Sequence, residues 1–389
     1  MGEKNLDFDR VVDRRGTECL KYDFAVKRGR PKDILPLWVA DMDFPTSSYV
    51  QEALIRQAEH GIFGYSDGQE AYFRALQGWL VRRHQWQIEE EWVLRTPGVV
   101  FAIAMAVQAF TREGEAVLIQ QPVYYPFSEV IRDNGRRVVS SDLVLREGRY
   151  EIDFENFEET ILREHVKLFL LCSPHNPVGR VWTREELRTL GRICRRHGVI
   201  VFSDEIHSDF VFRGKHLVFS SVEEGFEDFS IVATAPSKTF NLAGLQISNI
   251  IVQNPDLRHR LRRKIDCAGY SQPNVMGLVA SRAAYEKGEE WFDHLLEYLR
   301  ENLDFTREFV RQYLPDVKLI EPEGTYLVWL DFRGKGLTDA QLNEAIVYQA
   351  GLWLDSGEIF GKTGSGFQRI NIACPRSVLG EALERLKRI

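Results

Sequence analysis

Apolar positions recur every three or four residues in some parts of the chain and run unbroken in others. The two patterns predict different elements. Over residues 48–59, Val50, Leu54 and Ala58 share a helical face; Ser47 or Ser48 can cap this helix and Gly61 stop it. Tyr72, Phe73, Leu76, Trp79 and Leu80 mark a second amphipathic helix. From residue 92 onward, short apolar runs alternate with helical stretches. Residues 116–119, 166–172, 199–202 and 230–234 predict strands. Between the second and third, Thr183 and Glu186 form a capping box, Leu187, Leu190, Ile193 and Cys194 supply a buried face, and Gly198 is the stop. Apolar strands alternating with helices imply βαβ units, hence an α/β fold with a largely parallel sheet covered on both faces.

After about residue 285 the pattern changes again. A long helix over 291–313 leads to a strand at 326–332, a helix at 339–350, a strand at 367–373 and a final helix. This reads as a smaller α+β unit, and the segment before residue 48 has no home except beside it. At roughly 150 residues per domain, the 389-residue length suggests two or three domains. The pattern resolves this into a large α/β domain over 49–285 and a discontinuous small domain made of 1–48 and 286–389.

Composition narrows the function. Lys and Arg total 50 against 57 Asp and Glu, a formal net charge of −7, which argues against nucleic acid as the main partner. The densest basic stretch, 258–264, reads as helix surface. The longest helical apolar run, 99–110, falls short of a membrane span, and Asp7, Asp9 and Arg10 leave no room for the apolar centre of a signal peptide. Five scattered cysteines suit reduced thiols in a cytoplasm. The nine histidines lack metal-ligand spacing, so no metal site is expected.

In open parallel sheets ligands bind beyond the carboxyl ends of the strands. Ser203-Asp204-Glu205-Ile206-His207 follows one apolar run and Ser173-Pro174-His175-Asn176-Pro177-Val178-Gly179 another. Ala235-Pro236-Ser237-Lys238 follows a third, and Gln120-Gln121-Pro122-Val123-Tyr124-Tyr125 a fourth. Any one of these polar residues could be a solvated loop residue. Together they place a carboxylate, an amide, an amine and an aromatic on one sheet edge. Thr96-Pro97-Gly98-Val99-Val100 also opens a nearly all-apolar helix. Its N-terminus is either a phosphate seat or the plain glycine turn of a buried helix. Two decoys are set aside. Gly361-Lys362-Thr363 lacks the earlier glycine of a P-loop, since that position is Ser356, and Cys172 reads as ordinary core.

A phosphate, a lysine, a carboxylate and a stacking aromatic together suit pyridoxal 5′-phosphate. Its aldehyde needs a desolvated amine, and its ring nitrogen needs a carboxylate to stay protonated as an electron sink.

The Asp204–His207 string, the run 174–179 and Ser237-Lys238-Thr239-Phe240-Asn241-Leu242-Ala243-Gly244 resemble fold-type I pyridoxal-phosphate enzymes of the class I/II aminotransferase superfamily. Leu37-Trp38-Val39-Ala40-Asp41-Met42-Asp43-Phe44 and His60-Gly61-Ile62-Phe63-Gly64-Tyr65 resemble its MalY/PatB branch, of cystathionine β-lyase (C–S lyase) type. The resemblance implies that Lys238 is the Schiff-base lysine, that Asp204 partners the ring nitrogen and that Asn176 bonds the ring oxygen. It has Tyr124 stack on the ring, with Gly98, Val99, Val100 and Ser237 at the phosphate. Tyr65 would reach the phosphate of a second subunit in a homodimer, and Arg369 would clamp the substrate carboxylate. His207 stands where many relatives carry a tyrosine, and Gln246 where aminotransferases often carry a phosphate-binding arginine.

The implied activity is β-elimination on cystathionine or a related cysteine thioether, giving a thiol, pyruvate and ammonia. Two alternatives stay open: an aminotransferase on the same scaffold, which shares every step through Cα deprotonation, and a regulatory protein that binds a transcription factor.

Overall fold

The computed structural model describes residues 2–68 and 70–389. Its centre is a seven-stranded sheet, ordered in space as Val93–Thr96, Ser248–Ile251, Ser230–Thr234, Ile200–Asp204, Leu168–Cys172, Ala116–Ile119 and Arg137–Ser140. Ser248–Ile251 is antiparallel to both its neighbours, and the other four pairings are parallel. The sheet is therefore mixed, with one reversed strand near an edge of the expected parallel array.

The interior strand Leu168–Cys172 is buried at every position, the signature of a strand covered on both faces. Its side chains alternate between two cores. Leu168, Leu170 and Cys172 join the helices Val99–Phe110 and Pro255–Cys267, while Phe169 and Leu171 join Phe154–Glu164 and Arg184–Arg196. The capping box of Arg184–Arg196 forms, with Thr183 Oγ1 accepting from the Glu186 N–H and the Glu186 carboxylate accepting from the Thr183 N–H. The basic stretch 258–264 lies on the helix Pro255–Cys267, with only Leu261 buried within it.

A second sheet of four strands, ordered Lys318–Ile320, Leu327–Asp331, Phe367–Asn371 and Asp355–Ser356, is antiparallel throughout. The helix expected over 339–350 begins at Asp339 but widens into a π turn at Ala345–Gln349. The wider turn lets Ala345, Ile346 and Val347, three residues in a row, all be buried. The chain's opening segment threads back to this region. Leu35–Pro36 pairs in parallel with Leu352–Trp353, and the Leu37 carbonyl accepts from the Asn371 N–H at 2.9 Å. Asn371 Nδ2 then donates to the carbonyls of Val39 and Asp41. One hydrophobic cluster runs from Phe8 and Phe44 through Trp79 and Trp291 to Leu386, across both ends of the sequence. No described helix is long and apolar enough to cross a membrane.

Candidate active site

The strand order makes the site. Asp204 ends the strand Ile200–Asp204 in register with Cys172 on one side and Ala233 on the other, so three strands deliver their following loops to the same place. One cavity there is lined by Tyr124, Asn176, Asp204, His207 and Lys238, together with Gly98, Val99, Val100, Ser237 and Gln246. Arg369 reaches the same group, donating from Nη1 to Asn176 Oδ1 at 3.0 Å. Tyr65 does not come to this cavity within the chain. It is 99 % exposed, between the two N-terminal helices.

Asp204 is 5 % exposed, and among the described residues its carboxylate accepts one hydrogen bond, from the Ile206 N–H at 3.1 Å. Burial pushes its carboxyl up to about 7, only partly opposed by that N–H and the Lys238 charge. The amine of Lys238 donates to the Ala40 carbonyl at 2.6 Å, and Tyr326 Oη donates to the same oxygen at 3.0 Å. Burial brings the Lys238 amine down to about 8, with Asp41 and Asp204 pulling up and Arg369 pushing down. His207 lies against Tyr326 and Phe210, its Nδ1 without a partner among the described residues; burial, with the Lys238 and Arg369 charges, holds it well below its usual range and hence neutral.

Asn176 is held by its loop. Gly179 adopts φ +71°, and its carbonyl accepts from the Glu323 and Gly324 N–H groups at 2.7 and 2.9 Å. A Cβ at Gly179 would lie 2.6 Å from Pro322 Cβ, so only glycine allows this approach. The Tyr124 N–H donates to the Asn176 carbonyl at 3.0 Å, tying the aromatic to the amide.

These residues fit pyridoxal phosphate on observations of the protein itself. Asp204 is a buried carboxylate with no cation bonded to it among the described residues, as a protonated ring nitrogen would require. Asn176 Nδ2 donates to no described protein atom, which leaves it for a ring oxygen. Gly98 caps the helix Val99–Phe110 with no side chain, so the first N–H groups of that helix open toward the cavity. Gln246, exposed at the rim with φ +47°, supplies an amide where a guanidinium was absent from the sequence.

The chain matches the family described as aminotransferase class I and II over residues 32–386. It belongs to that family. Within it, the chain is 42 % identical to the cystathionine beta-lyase PatB of Bacillus subtilis (strain 168), over 98 % of this chain and 99 % of that protein. Among solved structures it resembles a PLP-bound putative aminotransferase from Clostridium difficile 630, with a TM-score of 0.96, 41 % identity, and 98 % and 99 % of the two chains covered. It also resembles cystalysin from Treponema denticola, described as containing a pyridoxal 5′-phosphate cofactor, with a TM-score of 0.94, 37 % identity and 98 % of each chain covered. The fold is that of fold-type I pyridoxal-phosphate enzymes, and membership of this family carries the cofactor with it.

Three features of the site had no signal in the sequence pattern. The Ala40 carbonyl that holds Lys238 is a backbone atom from 198 residues away. Asp355, which pairs with Arg369, sits on a two-residue strand. Cys172, read as core, is buried but also lines the cavity and accepts the Asn176 N–H at 3.4 Å.

Proposed function

We propose that this chain is a pyridoxal-phosphate-dependent C–S β-lyase, converting an amino acid with a β-thioether, such as cystathionine, into a thiol, pyruvate and ammonia. The observation that carries this reading is the Lys238 amine. It is desolvated enough to lose its proton near pH 8 and shares a cavity with an uncompensated carboxylate and with Asn176, which a buried guanidinium holds from behind the lining. What favours elimination over amino transfer is the full-length likeness to a relative named cystathionine beta-lyase.

Lys238, Asp204, Asn176 and Tyr124 would hold the cofactor ring, with Ser237 and the N–H groups from Gly98 to Val100 at its phosphate. When bound, the cofactor supplies a sink for the electron pair left on the substrate Cα. Lys238 Nζ takes the Cα proton, a role that needs an amine unprotonated near neutral pH. Arg369 receives the α-carboxylate, fixing which Cα bond faces Lys238. His207, neutral, adds no charge beside Lys238 and Arg369. The part of the substrate beyond sulfur has room in a second cavity of about 530 Å³, which shares Ala40, Lys238 and Ala243 with the first and is bordered by Arg14 and Asp41.

We place the active form as a homodimer. Ile62, Phe63 and Tyr65 are all exposed on one short connection, an apolar strip that a second copy would cover while bringing Tyr65 to its phosphate end. All five cysteines are free thiols, which suits a reducing cytoplasm.

The test is direct. Purified protein is given cystathionine alone, and separately an amino acid with a keto acid. Pyruvate and thiol released without any keto acid are expected. Amino transfer without pyruvate release would overturn the reading.

A further inference from the structure

Arg369 does not wait for a substrate with an empty fork. Of the five N–H bonds of a guanidinium, Nη2 commits both of its own, one to the Trp38 carbonyl at 2.7 Å and one to the Asp355 carboxylate. Nη1 gives one to Asn176 Oδ1, and Nε has no partner among the described residues. A planar guanidinium offers a carboxylate two parallel pairs of N–H bonds, Nη1 with Nη2 or Nε with Nη2. Both pairs use Nη2. A carboxylate that grips Arg369 with two bonds therefore has to displace one of the acceptors already there.

Of those two acceptors, the Trp38 carbonyl is fixed in a backbone held by Leu37 on both sides of the strand pairing, whereas Asp355 is a side chain. Asp355 is also the acceptor that carries the same charge as the newcomer. It stands directly opposite Arg369 in the strand register and is 6 % exposed. Arg369, Arg30, Tyr124 and Tyr125 are the ionisable groups that feel its charge. Burial raises its carboxyl above the ordinary range despite Arg369 and Arg30, so keeping the group charged there carries a desolvation cost.

We propose that Asp355 is a stand-in for the substrate carboxylate: it occupies the Arg369 fork until an amino acid's carboxylate replaces it, and it thereby sets the site's discrimination against other anions. This rests on Arg369 being the carboxylate receptor of the proposed lyase. The exchange gives selectivity because a thioether amino acid already anchored near Lys238 presents its carboxylate at high effective concentration. A free anion has no such anchor and must compete with Asp355 unaided. Asp355 acts through Arg369 and is a positioning residue, with a specificity consequence.

The experiment uses cofactor-loaded enzyme and two probes that cannot react, 3-(methylthio)propanoate and sulfate. Binding is read by calorimetry and by the shift in melting temperature. Asp355→Asn, which removes the charge and keeps the shape, should tighten both probes by about tenfold. Asp355→Ser should do the same, and guards against a folding defect in the first variant. Asp355→Glu should bind both probes as the parent does. Unchanged or weaker binding in both neutral variants overturns the proposal. Arg369→Gln should abolish binding of the propanoate. If instead that variant binds it normally, Arg369 is not the receptor, and the lyase assignment of that residue fails separately from the role given to Asp355.

Discussion

Two aspartates of this protein are buried to the same extent and behave in opposite ways. Asp43 and Asp204 are each 5 % exposed. Asp43 accepts from Lys21 Nζ and Arg14 Nη1, both at 2.7 Å, and from Tyr22 Oη at 3.1 Å. Burial works to raise its carboxyl, but Lys21 and Arg14 overcome it and hold the group below the usual carboxylate range. Asp204 has one backbone N–H and no bonded cation, and its carboxyl rises to about 7. The first aspartate ties residues 14–22 to the stretch just before the first helix, inside the N-terminal segment. The second is a charge kept wanting a partner, and unsatisfied groups of this kind mark a binding site more reliably than the residue type does.

The largest expected effect falls on the wanting side. Lys238→Ala should lower turnover on the order of 10⁴-fold, the upper range for a positioned proton-transfer group. A steady-state assay with cystathionine checks it, and near-parent activity would remove Lys238 from the mechanism.

Next comes the satisfied side. Asp43→Ala takes from the fully buried Lys21 its 2.7 Å partner, leaving only Asp41 at 3.9 Å, and should destabilise the fold by about 3 kcal/mol. Adding Lys21→Met should recover most of that loss, as read by urea unfolding, because replacing a whole buried pair costs far less than halving it.

Asp204→Asn should separate stability from function. Between pH 4 and 7 the unfolded carboxyl is ionised while the folded one holds its proton, so the folded protein loses stability as pH rises through that window. From 3.8 to about 7 the loss amounts to roughly 4 kcal/mol at pH 8. In cofactor-free protein at that pH, Asp204→Asn should raise the unfolding midpoint while turnover collapses in the loaded enzyme. A lower midpoint would place Asp204 with Asp43.

The smallest effect sharpens the comparison with a buried group that is neutral. His175 is 1 % exposed, and burial lowers it to about 4, leaving Nε2 against the Pro122 carbonyl at 2.9 Å. As pH falls from 6.5 to 4 the unfolded chain binds a proton that the folded protein refuses, so up to about 3 kcal/mol of stability is lost across that window. Unfolding midpoints measured at pH 7 and pH 4.5 should show this loss in the parent and less of it in His175→Gln.

How far the sequence could be read follows from the same physics. The strands at 116–119 and 230–234 match their observed bounds, because each is buried at every position and built on a run of apolar residues, Ala116–Ile119 and Ile231–Ala233. Arg137–Ser140 went unread because it is an edge strand with no fully buried position, and Val93–Thr96 and Ser248–Ile251 because Arg95 and Asn249 interrupt them. Asp204, Asn176, Lys238 and Tyr124 could be gathered from the sequence because each follows an apolar run and parallel strands end on one edge. Ala40 and Asp355 could not. One contributes a carbonyl, which no side chain advertises, and the other lies beside Arg369 only after two short strands have paired.

The return of the N-terminal segment has a consequence for the order in which the molecule is made. Asn371 Nδ2 fastens the Val39 carbonyl across 332 residues, and the Leu35–Pro36 strand pairs only with Leu352–Trp353. At a synthesis rate of roughly 5–20 residues per second, residues 35–41 wait on the order of half a minute for the partners that hold them. During that interval the nascent chain can assemble its central sheet and bring Lys238 to the end of a strand. The Ala40 carbonyl that receives the lysine is not yet anchored. Leu37 and Trp38, buried in the finished protein, meanwhile stay open to solvent and to chaperones. The lysine thus reaches its place early, whereas the strap that receives it waits for Asn371, which arrives on the same strand as Arg369.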